Sequence, residues 1–275
     1  MSWNPIEAIS IDDARRQCPD PVTALATTRI PAVVLRGAYA APQCDDLVGR
    51  FLERGLMRDP AAPAQEGDRR RIDVGTSLGN RGADQEGFLT HAEQTRELFS
   101  TLFDGLENPV DLVYRALQGL AGPDRQVRVA HEPDGREYGP AIFRIHYDGH
   151  AYPPHIDHVT LREKRFNYAV QRFEHQFAGV LCIQNAASDG STQGILHNCL
   201  WTEDIQPHLR GHTFHDYAES QNIGRCQVDL HPGDLYFFNT RLIHEVPAVE
   251  GSNPRIVLAV FVGFNEAESD IWVWA

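Results

Sequence analysis

The chain has 275 residues, of which 42% are hydrophobic and 23% are charged. This composition excludes a disordered chain, and the length suits one large domain or two small ones. Lysine and arginine number 25 against 38 acidic residues, which gives a net charge of −13, and Lys164 is the single lysine. An acidic chain with so little lysine is a poor binder of nucleic acid.

Hydropathy and cysteine usage indicate the compartment. No apolar run approaches the roughly 20 residues of a membrane-spanning helix, and residues 1–11 lack the basic and apolar regions of a signal peptide. The five cysteines are odd in number and form no C-x-x-C pair. We therefore expect a protein of the reducing cytoplasm that binds neither membranes nor nucleic acid. The sequence leaves open whether the chain forms a homodimer.

The front half of the chain is mixed, with helices prominent. Residues 28–36 predict a short strand, and Pro42 can begin a helix in which Leu47 and Phe51 recur at helical spacing. Residues 60–71 predict a loop. A second helix is predicted from near Thr90, and a third from Asn108, an N-cap residue followed by proline.

The pattern changes to short apolar runs separated by turn signals after residue 125. The runs lie at residues 127–130, 141–145, 177–183, 226–230, 235–238 and 256–264. Many strands after a helical front predict a sandwich or barrel with helices packed outside. We expect a single domain over residues 1–275, with a helical or mixed part at 1–125, a β core at 126–265 and a C-terminal tail at 266–275.

A candidate metal-binding motif begins in the segment 144–158. His155 and Asp157 are two positions apart, and such residues project to the same face of a strand. His244, which follows the turn and apolar strand of residues 232–238, is the candidate third ligand. Two histidines and one carboxylate form the facial triad of non-haem Fe(II) oxygenases. An isolated H-x-D pair is common by chance, so the interpretation depends on what accompanies it.

An arginine follows the motif at a spacing that could return it to the metal pocket. Arg255 lies eleven residues beyond His244, after the turn at residues 251–254. An antiparallel return would bring its guanidinium back toward the metal pocket. The planar fork of an arginine suits bidentate binding of a carboxylate.

These features in chain order resemble the Fe(II)/2-oxoglutarate-dependent oxygenase superfamily over residues 140–265. They are Tyr147-x-Gly149-x-x-Tyr152-x-x-His155-x-Asp157, the strand at 232–238, His244 and Arg255. The resemblance implies a mainly β fold with a double-stranded β-helix (jelly roll, cupin-like) core and N-terminal helices packed on the sheet. It implies that His155, Asp157 and His244 hold Fe(II) and that Arg255 binds 2-oxoglutarate. O₂ is then the co-substrate, and ascorbate is an assay additive.

The chain departs from the superfamily pattern after this arginine. Many members have Arg-x-Ser or Arg-x-Thr, whereas this chain has Arg255-Ile256-Val257. The hydroxyl partner of the oxoglutarate carboxylate must therefore come from elsewhere, with Tyr147 and Thr192 as candidates. Arg144 is the next candidate for the oxoglutarate contact.

Within the superfamily, the chain looks most like bacterial hydroxylases of N-succinyl aliphatic amino acids, and halogenases of similar build are close to that group. In those halogenases Gly or Ala replaces the carboxylate ligand so that chloride can bind. This chain keeps Asp157, so the resemblance implies hydroxylation of an unactivated C–H, in an amino acid or N-acyl amino acid.

The substrate site is less defined by the sequence. Arg81, close to Gly79, and Arg162 are predicted to contact an anionic small-molecule substrate, although arginine runs are otherwise solvated surface. The expected apolar wall consists of Phe166, Trp201 and Phe261.

Two other functions stay open. A non-catalytic, cupin-like metal-binding module would need no Arg255, and a protein or peptidyl hydroxylase would have a wide groove. The pair His212-x-x-His215 could suggest zinc, but no nearby Cys or Glu completes a recognised set of ligands, so we expect a surface segment there.

Overall fold

The computed structural model describes residues 3–62, 67–186 and 192–275, with only the backbone of residues 192 and 193. Within these ranges no helix has the length and apolar character needed to cross a membrane. All five cysteines are free thiols.

Eight α-helices and thirteen strands are found in the described ranges. The helices are α1 Ile11–Gln17, α2 Pro21–Ala26, α3 Ala41–Glu53, α4 Leu78–Arg81, α5 Gln85–Leu102, α6 Pro109–Ala121, α7 Gln206–Arg210 and α8 Phe214–Ser220. The strands are β1 Ile6–Ala8, β2 Ala32–Leu35, β3 Arg71–Gly75, β4 Gln126–Val129, β5 Ile142–His146, β6 Tyr152–His155, β7 His175–Gln184, β8 Thr192–Leu200, β9 Arg225–Asp229, β10 Leu235–Asn239, β11 Leu242–Val246, β12 Arg255–Phe264 and β13 Asp270–Trp274.

The helix ends follow local capping chemistry. The side chain of Asn108 accepts a hydrogen bond from the backbone N–H of Val110, and α6 ends at Gly122, whose φ is 81°. The helix predicted from Thr90 begins earlier, at Gln85, because the Asp84 side chain accepts from the N–H of Gly87 and caps it there. The helix predicted from Pro42 is confirmed as α3.

Nine strands form a large sheet in which most neighbours are antiparallel. Its main path is β1-β2-β10-β7-β12-β13-β4, while β5 pairs with β12 and β3 pairs with β5. The pairs β1/β2 and β13/β4 are parallel. Strands β1, β2 and β3 bring the part predicted as helical or mixed, residues 1–125, into this sheet.

A second sheet has the order β6-β11-β8-β9 and is antiparallel throughout. Side chains of both sheets meet in one apolar cluster, which includes Val180 and Tyr236 of the large sheet and Leu196 and Val228 of the small one. The two sheets therefore face each other.

The N-terminal helices cover the other face of the large sheet. Because side chains alternate along a strand, Phe177 and Leu181 of β7 point away from the small sheet. They belong to a second apolar cluster that contains Phe51 of α3 and Leu117 of α6. The prediction that helices pack on the sheet is confirmed.

The C-terminal segment is a sheet strand, which corrects the prediction of a tail at residues 266–275. β13 pairs with both β12 and β4. Ile271 and Val273 are fully buried, and Trp274 is 1% exposed and stacks on Phe173 with ring centroids 5.8 Å apart. The segment is too short for a clear periodicity, and its partner β4 is distant in sequence.

We predict that Trp274→Ala lowers the free energy of unfolding by about 3–5 kcal/mol, because a large buried aromatic side chain is removed. Urea unfolding would measure this. The matched control is Phe166→Ala, since Phe166 is 61% exposed, and its effect should stay within about 0.5 kcal/mol. Equal effects of the two substitutions would contradict the position assigned to β13.

Candidate metal centre

The three predicted metal ligands come together at one end of the small sheet. His155 is the last residue of β6, and its Cα partner on β11 is His244. Asp157 lies just beyond the strand, where its backbone N–H donates to the carbonyl of Thr240, 3.0 Å away. The position of Asp157 therefore depends on this hydrogen bond rather than on the strand alternation that the sequence suggested.

The side chains of these residues converge on one point. Their ligand atoms all lie within 4.8 Å of one another. The imidazole rings of His155 and His244 are 4.3 Å apart, and Nε2 of His244 is 3.7 Å from Oδ2 of Asp157. Two nitrogens and one carboxylate oxygen at these distances fit a divalent iron ion.

Backbone carbonyls fix the tautomer of both histidines. Nδ1 of His155 is 2.7 Å from the carbonyl of Pro153, and Nδ1 of His244 is 2.8 Å from that of Leu242. Because a carbonyl only accepts, each Nδ1 carries the proton and each Nε2 keeps its lone pair for a metal. Burial and the neighbouring His244 lower the pKa of His155 to about 3, so its ring is neutral near pH 7.

The carboxylate of Asp157 is held ionised. Burial by itself would raise its pKa, but the imidazoles of His244 and His155 and the guanidinium of Arg162 outweigh burial and hold the pKa well below its usual range. Arg162 forms an ion pair with Oδ1 of Asp157 and also donates to the carbonyl of Ile156 at 2.9 Å. Arg162 lines the cavity as predicted, yet its main contact is the ligand carboxylate.

The ligands open into a cavity of about 350 Å³ between the two sheets. Of the residues predicted from sequence for the cofactor and the substrate, five line it. They are Gly79, Arg144, Arg162, Arg255 and Phe261. Much of the remaining lining is apolar and comes from both sheets. Its apolar residues include Val180, Leu196, Phe238, Val257 and Trp274. A volume of this size suits a small molecule.

A row of polar residues crosses the large-sheet wall of the cavity. Arg255 is in register with His146 on β5, which is in register with Arg71 on β3. Nη1 of Arg255 donates to Nδ1 of His146 at 3.0 Å, and burial and this guanidinium lower the pKa of His146 well below its usual value. His146 also stacks on His150 and lies 3.4 Å from the hydroxyl of Tyr152. Neutral His146 therefore positions Arg255.

Arg144 occupies the next inward-facing row. Its register partners are Val257 on β12 and Asp73 on β3. Asp73 is already bound by Arg71 through contacts of 2.6 and 2.9 Å. The guanidinium of Arg144 lies 5.8 Å from the ring centroid of Phe261, and its buried Nε has no hydrogen-bond partner among the described residues. A positive group is thus directed at the cavity.

Of the two predicted hydroxyl partners of the oxoglutarate carboxylate, Tyr147 lies outside the cavity. Tyr147 follows His146 in the chain and faces the helices, where its hydroxyl contacts the backbone N–H and carbonyl of Arg58 at 2.8 and 3.1 Å. Strand alternation explains this, because His146 points inward. The side chain of Thr192 lies outside the described residues.

Three predicted substrate residues also lie elsewhere. Arg81 lines a separate cavity behind β3, together with His91 and Thr95. Phe166 is exposed. Trp201 packs beside α7, where its Nε1 donates to Gln206 at 2.9 Å. Charge and aromatic character alone could not distinguish these positions from cavity residues.

Sequence reasoning missed two tyrosines that line the cavity near Arg255. The hydroxyl of Tyr152 accepts from Arg71 at 2.5 Å. Tyr236 on β10 is 4% exposed, and burial raises its pKa to about 12. The alternation of Tyr236 with Phe238 on β10 was a usable signal for an inward-facing hydroxyl.

The comparison with protein families agrees with this geometry. The family model of the carrier-protein-independent halogenase WelO5 matches residues 6–275. The chain belongs to this family. It is therefore an enzyme of the Fe(II)/2-oxoglutarate-dependent oxygenase superfamily, as the sequence motifs indicated. A comparison with curated proteins found no match.

Solved structures resemble the chain at low identity. An N-substituted L-amino acid dioxygenase from Burkholderia ambifaria AMMD is 15% identical, with a TM-score of 0.60 over 93% of this chain and 90% of that chain, and the values for its complex with alpha-KG are the same. The non-heme alpha ketoglutarate dependent epimerase SnoN from nogalamycin biosynthesis is 13% identical, with a TM-score of 0.50 over 91% and 88% of the two chains. At these identities the likeness shows a shared fold.

We predict that, in halide-free buffer, His155→Ala, Asp157→Ala and His244→Ala each abolish tight Fe(II) binding, because two remaining ligands make a weak chelate and no halide can replace the carboxylate of Asp157. Anaerobic equilibrium dialysis with iron quantification would measure this. His231→Ala, at an exposed histidine outside the cavity, is the control and should bind as the unmodified protein does. Normal affinity in any of the three variants would remove that residue from the ligand set.

Proposed function

We propose that the chain hydroxylates an unactivated C–H of a small molecule, on a double-stranded β-helix core, with Fe(II) held by His155, Asp157 and His244. The observation that carries this proposal is the ionised Asp157 carboxylate beside two imidazoles whose Nε2 atoms are free to bind. The two facing sheets with the site between them are compatible with a double-stranded β-helix.

Asp157 favours hydroxylation over halogenation, despite the halogenase name of the family. Halogenases of this kind have Gly or Ala in place of the carboxylate, which leaves a coordination position for chloride. Here Asp157 fills that position, and its contact with Arg162 supports the orientation of the carboxylate. A carboxylate ligand and a halide compete for the same place on the metal.

The residues proposed to bind 2-oxoglutarate lie on the side of the cavity formed by the large sheet. Arg255, positioned by His146, would bind the distal carboxylate of 2-oxoglutarate, and Tyr152 or Tyr236 would supply the hydroxyl that the sequence lacks after Arg255. Bound Fe(II), 2-oxoglutarate and O₂ supply the oxidising chemistry. The chain orients both substrates and excludes water through apolar residues such as Phe238 and Val257.

The substrate that suits the cavity is a small molecule with an aliphatic part and an anionic group. Arg144 is the arginine best suited to that anion, since Arg81 lies outside the cavity and Arg162 contacts Asp157. An N-substituted amino acid meets these requirements, and the structural neighbour from Burkholderia ambifaria is named for such substrates. The cavity volume of about 350 Å³ argues against a peptidyl hydroxylase with a wide groove.

We predict that Arg255→Ala weakens 2-oxoglutarate binding at least tenfold, because a charge-assisted contact worth about 1.5–3 kcal/mol is lost. The charge-transfer absorption of the anaerobic Fe(II) complex, titrated with 2-oxoglutarate, would measure this. Arg144→Ala is the matched control in the same wall and should change 2-oxoglutarate affinity much less. The opposite ranking would exchange the roles of the two arginines.

A succinate-release assay with free and N-acylated amino acids would test the substrate class. We predict that Arg144→Ala raises the KM for the best anionic substrate roughly tenfold or more. It should leave the rate with a neutral ester analogue nearly unchanged. Equal KM values for the acid and the ester in the unmodified enzyme would exclude an anion site.

We predict that the unmodified enzyme gives only hydroxylated product in the presence of chloride or bromide, since Asp157 fills the position that a halide needs. Asp157→Gly should abolish hydroxylation and should be the variant in which a halogenated product can form. Mass spectrometry of the product measures both outcomes. A halogenated product from the unmodified enzyme would contradict the proposal.

A further inference from the structure

A second cluster of ligand-type side chains lies on the outer face of the small sheet. It consists of His197 on β8, Glu245 on β11 and His215 on α8, and their ligand atoms lie within 4.8 Å of one another. Nε2 of His197 is 3.1 Å from Oε1 of Glu245, and Nε2 of His215 is 3.3 Å from Oε2. This cluster is separate from the triad, because Leu196 and His244 face inward while their chain neighbours His197 and Glu245 face α8.

The two histidine–carboxylate separations, one to each oxygen of Glu245, are close to those expected between ligands of a small divalent cation. Ligands bound at about 2.0–2.1 Å in a tetrahedral zinc site lie roughly 3.3 Å from one another. His197 is 2% exposed beneath the edge of Phe214, and its Nδ1 has no hydrogen-bond partner among the described residues. The orientation of this buried ring thus depends on what lies at Nε2. His215 is half-exposed, which leaves the cluster open to an ion from solvent.

We propose that His197, His215 and Glu245 form a second divalent-cation site, of the zinc class, that ties α8 to the small sheet behind His244. Two imidazoles and a carboxylate leave a fourth position for water, and this donor set prefers Zn²⁺ to Mg²⁺ or Ca²⁺. Bound metal stabilises the folded state by mass action, since the unfolded chain does not hold the three residues together. The sequence motif His212-x-x-His215 contains one ligand of this site, His215. Only the fold brings Glu245 and His197 close to it.

The test measures Zn²⁺ stoichiometry on metal-free, tag-free protein, by calorimetric titration and by metal analysis after dialysis. The unmodified chain should bind two equivalents, whereas His215→Ala should bind one. His212→Ala is the matched control, three residues away on the same segment, and should bind two. His155→Ala should also bind one equivalent, so failure of the triad and failure of the second site are distinguishable.

Thermal unfolding of His155→Ala gives an independent measurement, since only the second site remains in this variant. Zn²⁺ should raise its Tm, and adding His215→Ala should remove the shift. A single equivalent in the unmodified chain that His155→Ala removes and His215→Ala keeps would show that the cluster is only a His–Glu ion-pair network, and it would overturn the proposal. Two equivalents in His215→Ala, or a Tm shift that survives in the double variant, would also overturn it.

Discussion

The antiparallel pairing of β6 with β11 sets His155 directly opposite His244, and the geometry of the metal centre depends on this register. A slip by one residue would turn one imidazole to the outer face of the sheet, because side chains alternate along a strand. Backbone carbonyls of the same two strands then fix both Nδ1 protons and leave both Nε2 atoms for the metal. The backbone N–H of Asp157 donates to the carbonyl of Thr240, at the turn into β11. The paired strands β6 and β11 therefore position all three ligands.

The two sheets divide the chemistry between them. The small sheet carries His155 and His244, while the large sheet carries Arg255 and Arg144 on the opposite wall, with apolar side chains between. Burial lowers the pKa of Arg255 from its ordinary value, which expresses the cost of holding its charge away from water. Under the proposed function, the carboxylate of 2-oxoglutarate would offset this cost. His146 accepts from Arg255 because the same burial keeps its imidazole neutral.

The sequence was most informative where chemistry restricts the residue type. That His155, Asp157, His244 and Arg255 meet in one cavity could be predicted because few side chains can bind a metal or a dicarboxylate. Helix α6 could be predicted from its capping residues. The rest required tertiary information. Tyr147 was assigned to the cavity although strand alternation turns it outward, and Arg81, Phe166 and Trp201 differ from cavity residues only in where the fold places them. β13 was missed because its apolar pattern is short and one of its two partners, β4, is distant in sequence.

Asp157 as the third protein ligand is what separates this chain from the halogenases for which its family is named. An anaerobic crystal structure with Fe(II), with anomalous diffraction recorded at the iron edge, tests it directly. The predicted result is one iron peak at about 2.0–2.2 Å from Nε2 of His155, Nε2 of His244 and one carboxylate oxygen of Asp157. Iron bound by the two histidines alone, with Asp157 remaining on Arg162 and a halide or water in its place, would contradict the account.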